Sequence, residues 1–249
     1  MANVVKTEIK IVKSIPLIEG WRWIVQALRL FHARPLEWLL YTFILMGLSL
    51  VLAQLGVFGT LLLPLLLPVF TGGFMQAARE AFQGGKLTPR LLFSGFDRRG
   101  ARLVSLGGLY LVCIISLSGY LQLSGLLPSG FNPASIKPGT PEYHFLITHS
   151  TRLLIAALIE LVVLLPVSMA TLFAPALIMF HELSAFAALR LSFLACCRNI
   201  GAIVVYGFFV TLGGILILLS AGFAVFIIAP LVFLSTFAGY IKLFEVDKK

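Results

Sequence analysis

Residues 199–241 have the sequence NIGAIVVYGFFVTLGGILILLSAGFAVFIIAPLVFLSTFAGYI, which contains no charged side chain. A transmembrane helix needs about 20 mainly apolar residues. This stretch is therefore too long for one span and fits two, with a turn near Ser220, Ala221 and Gly222. The sequence predicts a helical hairpin that crosses a membrane twice.

Four more apolar runs precede this hairpin, at residues 36–56, 57–75, 103–126 and 153–180. The whole chain of 249 residues is 59% hydrophobic and 12% charged, with a mean hydropathy of +1.02. A soluble domain carries about 25% charged residues, so the bilayer must solvate much of this chain. We predict an all-α fold, a polytopic membrane bundle of six transmembrane helices that forms a single domain over residues 36–249.

The basic residues predict the orientation of the spans. Six spans with an inner N-terminus place 17 of the 19 lysines and arginines in inner segments and leave only Lys137 and Arg152 outside. Cytoplasmic loops of membrane proteins carry such an excess, so we expect a multi-pass inner-membrane protein of a bacterium with both termini in the cytoplasm. The net charge is +9, and the basic residues flank apolar runs instead of forming a stripe on a soluble domain. This distribution argues against nucleic-acid binding.

Residues 1–35 precede the first span and are predicted to form a cytoplasmic tail with an interfacial amphipathic helix at 17–34. Polar side chains recur there at helical spacing, whereas tryptophans and aliphatic residues cover the other positions. Such a helix lies in the plane of the membrane interface, with its aromatic side chains at headgroup depth. The polar positions are Glu19, Arg22, Gln26 and Arg29.

Both inner loops are predicted to contain a further interfacial helix. Thr88 is suited to be the N-cap of the first, which starts at Pro89 and runs to Arg99. The second covers residues 184–198. Basic side chains on such helices contact anionic lipid headgroups, and the candidates are Arg22, Arg29, Arg90, Arg98, Arg190 and Arg198.

The two inner loops match each other at a shift of 100 residues, with six identities over 18 positions. The match predicts an internal parallel repeat of span, interfacial helix and span, with copies at about 57–126 and 153–219. Low complexity is the alternative, although it explains apolar matches more readily than charged ones. The polar or small identities are Arg90 with Arg190, Arg98 with Arg198, and Gly107 with Gly207.

Three segments resemble a known family. GWRWIVQALRLFHARPLEWLL at 20–40, PVFTGGFMQAAREA at 68–81 and FAPALIMFHELSAFAALRLSFLACCRNIGA at 173–202 are similar to a family of uncharacterised bacterial inner-membrane proteins catalogued after a Burkholderia locus. The chain also resembles, more distantly, the six-helix membrane domain of glycerophosphodiesterases. The resemblance implies six spans with interfacial helices, and it brings neither an activity nor catalytic residues.

Glu160 is the candidate functional residue inside the membrane, because an ionisable side chain at that depth is costly. It lies in LLIAALIELVVLLP, about two turns from the outer end of the fourth span. The structural alternative is a carboxyl that is neutral, faces a wet cavity, or bonds a neighbouring helix. Its expected partners are Ser116, Ser118 and Tyr120 of the third span.

The chemistry-bearing residues outside the spans predict no enzyme, metal or cofactor. Glu142, His144 and His149 share an outer loop, but their loose spacing is weak support for a metal site. No catalytic motif is present. We therefore expect a non-catalytic accessory or scaffold that acts on lipid, on a membrane-protein partner or on a second copy of the chain. The alternative is a small transporter or channel with Glu160 on its pathway.

Overall fold

A computed structural model of the protein describes residues 9–11, 15–97, 99–128, 136–137 and 139–246. The predicted headgroup contact Arg98 lies outside these residues. The described helices are α1 (Glu19–Ala33), α2 (Pro35–Ala53), α3 (Val57–Phe82), α4 (Pro89–Leu92), α5 (Gly100–Leu123), α6 (Pro141–Thr148), α7 (Ser150–Leu172), α8 (Ala174–His181), α9 (Ala185–Arg198), α10 (Ile200–Leu219) and α11 (Val225–Leu243). Two short strands are β1 (Ile9–Ile11) and β2 (Phe244–Val246).

Six helices of the described chain are long and apolar enough to cross a membrane, which confirms the predicted helical bundle. The turns also lie where the sequence places them. Gly56, between α2 and α3, has a φ of 58°, and Ala221 and Gly222, between α10 and α11, have φ of 52° and 94°. The spans are Pro35–Ala53, Val57–Phe82, Gly100–Leu123, Ser150–His181, Ile200–Leu219 and Val225–Leu243.

The chain divides into two compact units. The first comprises Met1–Gly107 and Met169–Lys249, and the second is Gly108–Ser168. Each predicted repeat copy contains residues of both units, so the repeat stays a prediction, as does the single domain over residues 36–249.

A short antiparallel ladder joins the two ends of the first unit, a feature that the sequence analysis does not include. Ile9 pairs with Val246 and Ile11 pairs with Phe244. The ladder places both terminal segments on the same side of the membrane, as an even number of spans requires. Which side that is remains a prediction.

Helix α1 packs into the first unit on α10 and α11. Trp23 is only 1% exposed and makes edge contacts with the rings of Phe173 and Tyr206. The ring of Trp23 therefore belongs to the protein core and does not contact headgroups, whereas the predicted headgroup depth of the aromatic residues of α1 stays a prediction.

The core of the first unit gathers at one end of the spans. Many of its buried residues lie in the C-terminal halves of α3 and α11, in α8, and at the starts of α2 and α10. In a chain that alternates direction with each span, these positions share one side of the membrane. The same side carries α1 and the basic inner segments.

The first inner loop does not form one helix from Pro89 to Arg99. Thr88 and Pro89 begin α4 as predicted, but α4 ends at Leu92, and a 3₁₀ turn follows at Ser94–Phe96. The segment folds onto α3. A Cβ at Gly73 would overlap the Leu92 carbonyl, and one at Gly95 would overlap the Val69 carbonyl. The second inner loop forms α9 as predicted, with Ser184 capping its first turn.

The fourth span is broken at Phe173, between α7 and α8. Pro175 has no N–H and cannot continue the helical hydrogen bonds of α7. The Ser192 hydroxyl of α9 is inserted into the break: it accepts a hydrogen bond from Phe173 N at 3.1 Å and donates one to the Met169 carbonyl at 2.8 Å. In an unbroken helix Phe173 N–H would bond directly to that carbonyl. Ser192 therefore satisfies backbone groups that have no water available.

We predict that Ser192→Ala destabilises the protein by about 1–3 kcal/mol, because it leaves the buried Phe173 N–H without an acceptor. The measurement is the free energy of unfolding of the full chain in detergent. Ser105→Ala is the matched control, since among the described residues the exposed Ser105 hydroxyl donates only to the Ala101 carbonyl of its own helix. Equal stability of the two variants would contradict the role of Ser192.

Candidate functional site

The structure separates the five predicted arginines that it describes into three groups. Arg22 and Arg29 line one groove on α1. Arg90 lines a cavity beside α4. Arg190 and Arg198 are exposed on α9. Only the first two share a concave surface that also contains further basic and aromatic side chains.

That surface, which we call the α1 groove, has a volume of about 1000 Å³. It lies among α1, the last residue of α3 and the end of α11. The residues that line it are Ile18, Glu19, Trp21, Arg22, Val25, Gln26, Arg29, Leu30, Phe82, Ile241 and Lys242.

The two faces of α1 build the groove. Gly20, Trp23 and Ala27 are buried against the core, whereas Arg22 and Arg29, two turns apart, stay exposed on the other face. Gly20 permits the close contact with α10, because a Cβ there would overlap the Ala202 carbonyl oxygen. The packing of one face thus fixes the direction of the basic side chains on the other.

The charge of the groove is positive. Arg22 Nη1 donates to Glu19 Oε1 at 2.5 Å, which neutralises one pair. Arg29 and Lys242 form no ion pair with another residue that the structure describes. The indole of Trp21 lies at the rim, 38% exposed and 4.7 Å from the ring of Phe209. A positive groove with an aromatic rim can hold an anionic group beside apolar chains.

Lys242 and Trp21 are groove residues that the sequence analysis does not select as site residues. Lys242 contributes there only to the charge bias of the inner segments. Lys242 and Arg22 are 220 positions apart, so their proximity cannot be predicted from the sequence. The packing of α1 on α11 brings them together. The helical spacing of Arg22 and Arg29 and the aromatic residues around Arg22 are the sequence signals of a site here.

Glu160 is exposed on α7 in the second unit, among exposed apolar side chains such as Leu158 and Leu161. The expected hydrogen bond to Ser116, Ser118 or Tyr120 is not formed. The Ser118 hydroxyl instead accepts from Gln122 of its own helix at 3.2 Å. The physical reason is that α7 and α5 pack too little for their polar side chains to meet.

The three cysteines differ in accessibility. Cys196 is buried, and its thiol lies 3.4 Å from the Met169 carbonyl. Burial raises the pKa of the Cys196 thiol to about 12. The neighbouring Cys197 is exposed, and Cys113 is partly buried in α5. Adjacent positions on α9 thus carry one inert and one accessible thiol.

The chain is similar to a probable inner membrane protein of Burkholderia thailandensis. The two are 32% identical over 200 residues, which cover 76% of this chain and 70% of the relative. No family model matches the chain. No solved structure matches it either.

We predict that a maleimide at pH 8 labels a variant with Cys197 alone and leaves one with Cys196 alone unmodified. With a pKa of about 12, roughly one Cys196 thiol in ten thousand is ionised at pH 8. Labelling is measured by the mass of the intact chain. Comparable labelling of the two variants would contradict the burial of Cys196.

The Cys197 variant also tests the orientation. In intact spheroplasts a membrane-impermeant maleimide should leave Cys197 unlabelled, because α9 is predicted to be cytoplasmic. Labelling should appear after permeabilisation. A Cys introduced at Thr140 in the outer loop is the matched control and should be labelled in intact spheroplasts. The reverse pattern would overturn the predicted topology.

Proposed function

Because the chain belongs to the same family as the probable inner membrane protein of Burkholderia thailandensis, we propose that it is a non-catalytic accessory protein of the bacterial inner membrane. In this proposal it binds the headgroups of anionic phospholipids in the α1 groove, and both of its termini lie in the cytoplasm. The observation that carries the proposal is the grouping of Arg22, Arg29 and Lys242 on one concave surface beside the exposed ring of Trp21.

The chemistry of the groove favours a lipid headgroup as its occupant. Arginine presents several N–H donors that match the oxygens of a phosphate. Basic side chains near the surface of an anionic leaflet are attracted by about 1 kcal/mol each. Arg29 and Lys242 supply two charges that Glu19 does not neutralise, and the apolar residues Val25 and Ile241 lie beside them.

The charge bias supports a cytoplasmic position for the groove. It lies on the side of the membrane that carries the basic inner segments and the paired termini. The cytoplasmic leaflet has a negative surface potential. The anionic lipids that the positive groove is proposed to bind would therefore be abundant on the side of the membrane where the groove lies.

The alternative of a transporter with Glu160 on its pathway receives less support. A pathway for a polar solute needs several polar groups at depth, and the exposed side chains around Glu160 are apolar, as Leu161 and Val162 illustrate. An exposed carboxyl on α7 suits contact with a membrane-protein partner or a second copy better. The likeness to the membrane domain of glycerophosphodiesterases stays a prediction, and no phosphodiester chemistry is proposed.

Tryptophan fluorescence tests the proposal, since Trp21 is the exposed one of three tryptophans. Trp23 and Trp38 are 1% and 0% exposed. We predict that brominated phosphatidylglycerol quenches Trp21 of the reconstituted full chain more strongly than brominated phosphatidylcholine. Arg22→Gln combined with Arg29→Gln should weaken this preference by about thirtyfold, because two attractive charges that contribute about 1 kcal/mol each are lost.

The matched control is Arg190→Gln combined with Arg198→Gln, which removes the same charge from α9. It should leave the preference unchanged, and Trp21→Phe should remove the quenching. Arg29→Gln alone spares the Glu19–Arg22 ion pair and should give an intermediate result. Equal quenching of the wild type by both lipids, or an equal effect of both double variants, would refute the proposal.

A further inference from the structure

A second polar cleft lies in the first unit, between the end of α3, the α4 segment and the turn that joins α8 to α9. We call it the α4–α8 cleft. It has a volume of about 650 Å³ and contains Gln76, Ser94, Asp97, Arg99 and Glu182 among its lining residues. A smaller cavity of about 280 Å³ shares Ser94 and Asp97 with it and adds Arg90. The α1 groove uses none of these residues.

Arg99 is held in place but incompletely bonded. Its Nη2 donates to Glu182 Oε1 at 3.0 Å. Its Nε is buried and has no hydrogen-bond acceptor among the residues that the structure describes. A buried donor of a charged group is costly to leave unpaired. The Nε–H of this guanidinium therefore lacks an acceptor, and a phosphate oxygen is a suitable one.

Glu182 holds Arg99 through a strained backbone. Its φ of 55° lies in the left-handed region, where glycine is the usual residue at the end of a helix. Two arginines contact it: Arg102 Nη1 donates to its carbonyl, and Arg99 Nη2 donates to its carboxylate. Strain of this kind persists where surrounding contacts enforce it, and it concentrates at binding sites.

Asp97 supplies the opposite charge. Its carboxylate is exposed to the cleft and forms no ion pair with another described residue. The Ser94 hydroxyl beside it donates to the Leu91 carbonyl at 2.7 Å and so leaves its oxygen as an acceptor. One wall thus offers acceptors that suit an ammonium group, whereas Arg99 offers a donor that suits an anion.

We propose that the α4–α8 cleft binds a zwitterionic phosphate–amine group, with its phosphate on Arg99 and its ammonium on Asp97 and Ser94. Phosphoethanolamine has this chemistry. It can come from phosphatidylethanolamine in the bilayer or from a soluble phosphoethanolamine compound. The ammonium supplies the positive charge that Asp97 lacks, and the phosphate supplies a further acceptor for the Arg99 guanidinium, whose Nε–H the Glu182 carboxylate leaves unbonded. Neither an anionic headgroup nor a simple amine supplies both.

The test is binding of short-chain lipids to the full chain in detergent, measured by native mass spectrometry. Dihexanoyl phosphatidylethanolamine should bind about tenfold more tightly than dihexanoyl phosphatidylcholine, whose trimethylated nitrogen cannot donate hydrogen bonds to Asp97. Asp97→Asn should remove most of this preference while leaving phosphatidylglycerol binding at the α1 groove unchanged. Arg99→Gln should weaken binding of both zwitterionic lipids.

Two controls separate the site from general effects. Arg152→Gln removes an exposed arginine that lines neither the cleft nor the α1 groove, and it should change nothing. Free phosphoethanolamine identifies the source of the ligand. If it binds as tightly as the short-chain lipid, the ligand is a soluble compound, and if it binds more weakly, the ligand is the lipid. Equal affinity of the wild type for phosphatidylethanolamine and phosphatidylcholine, a comparison that needs no variant, would overturn the proposal. So would an Asp97→Asn variant that keeps the preference.

The outcome is independent of the anionic-lipid proposal. Arg22→Gln with Arg29→Gln should leave the preference for ethanolamine intact, because neither residue lines the α4–α8 cleft. Loss of that preference in the α1 double variant would place the ethanolamine group in the α1 groove and refute the assignment to Asp97 and Arg99.

Discussion

The packing of α1 on α10 and α11 is the interaction on which the arrangement of the first unit depends. In a bilayer the hydrophobic effect does not drive helices together, so close contact between helices must stabilise the fold. Gly20 permits that contact at the Ala202 carbonyl. Trp23 fills the space beyond it, against Phe173, Tyr206 and Gly239. Moving α1 away would expose this core and separate Arg22 and Arg29 from Lys242.

Features of the fold that depend on local sequence can be predicted from it, whereas features that depend on packing between helices cannot. Spans are set by hydropathy and length, and residues 199–241 predict their hairpin without any tertiary information. The break at Phe173 is different. Pro175 indicates a kink, but its stabilisation by Ser192 depends on the packing of α9. The ladder of Ile9–Ile11 with Phe244–Val246 is equally non-local, since its strands stand at opposite ends of the chain.

The candidate site was predictable only in part. Helical spacing places Arg22 and Arg29 on one face of α1, whereas Lys242 joins them through tertiary contact. Arg99 and Glu182 are 83 positions apart and meet because α8 ends beside the start of α5. Glu160 shows the reverse case. The cost of an ionisable side chain at that depth makes Glu160 the leading candidate within the spans, yet among the described residues it is exposed on α7.

Hydrogen–deuterium exchange of the full chain in nanodiscs tests the docking of α1 most directly. If α1 is docked, its amides at Glu19–Ala33 should exchange about as slowly as those at the end of α11. Gly20→Ala should accelerate exchange in α1, because the added Cβ would separate α1 from α10. Gly47→Ala, at a position where a Cβ meets nothing, is the matched control. Rapid exchange of α1 in the wild type, or identical exchange in Gly20→Ala, would contradict the account.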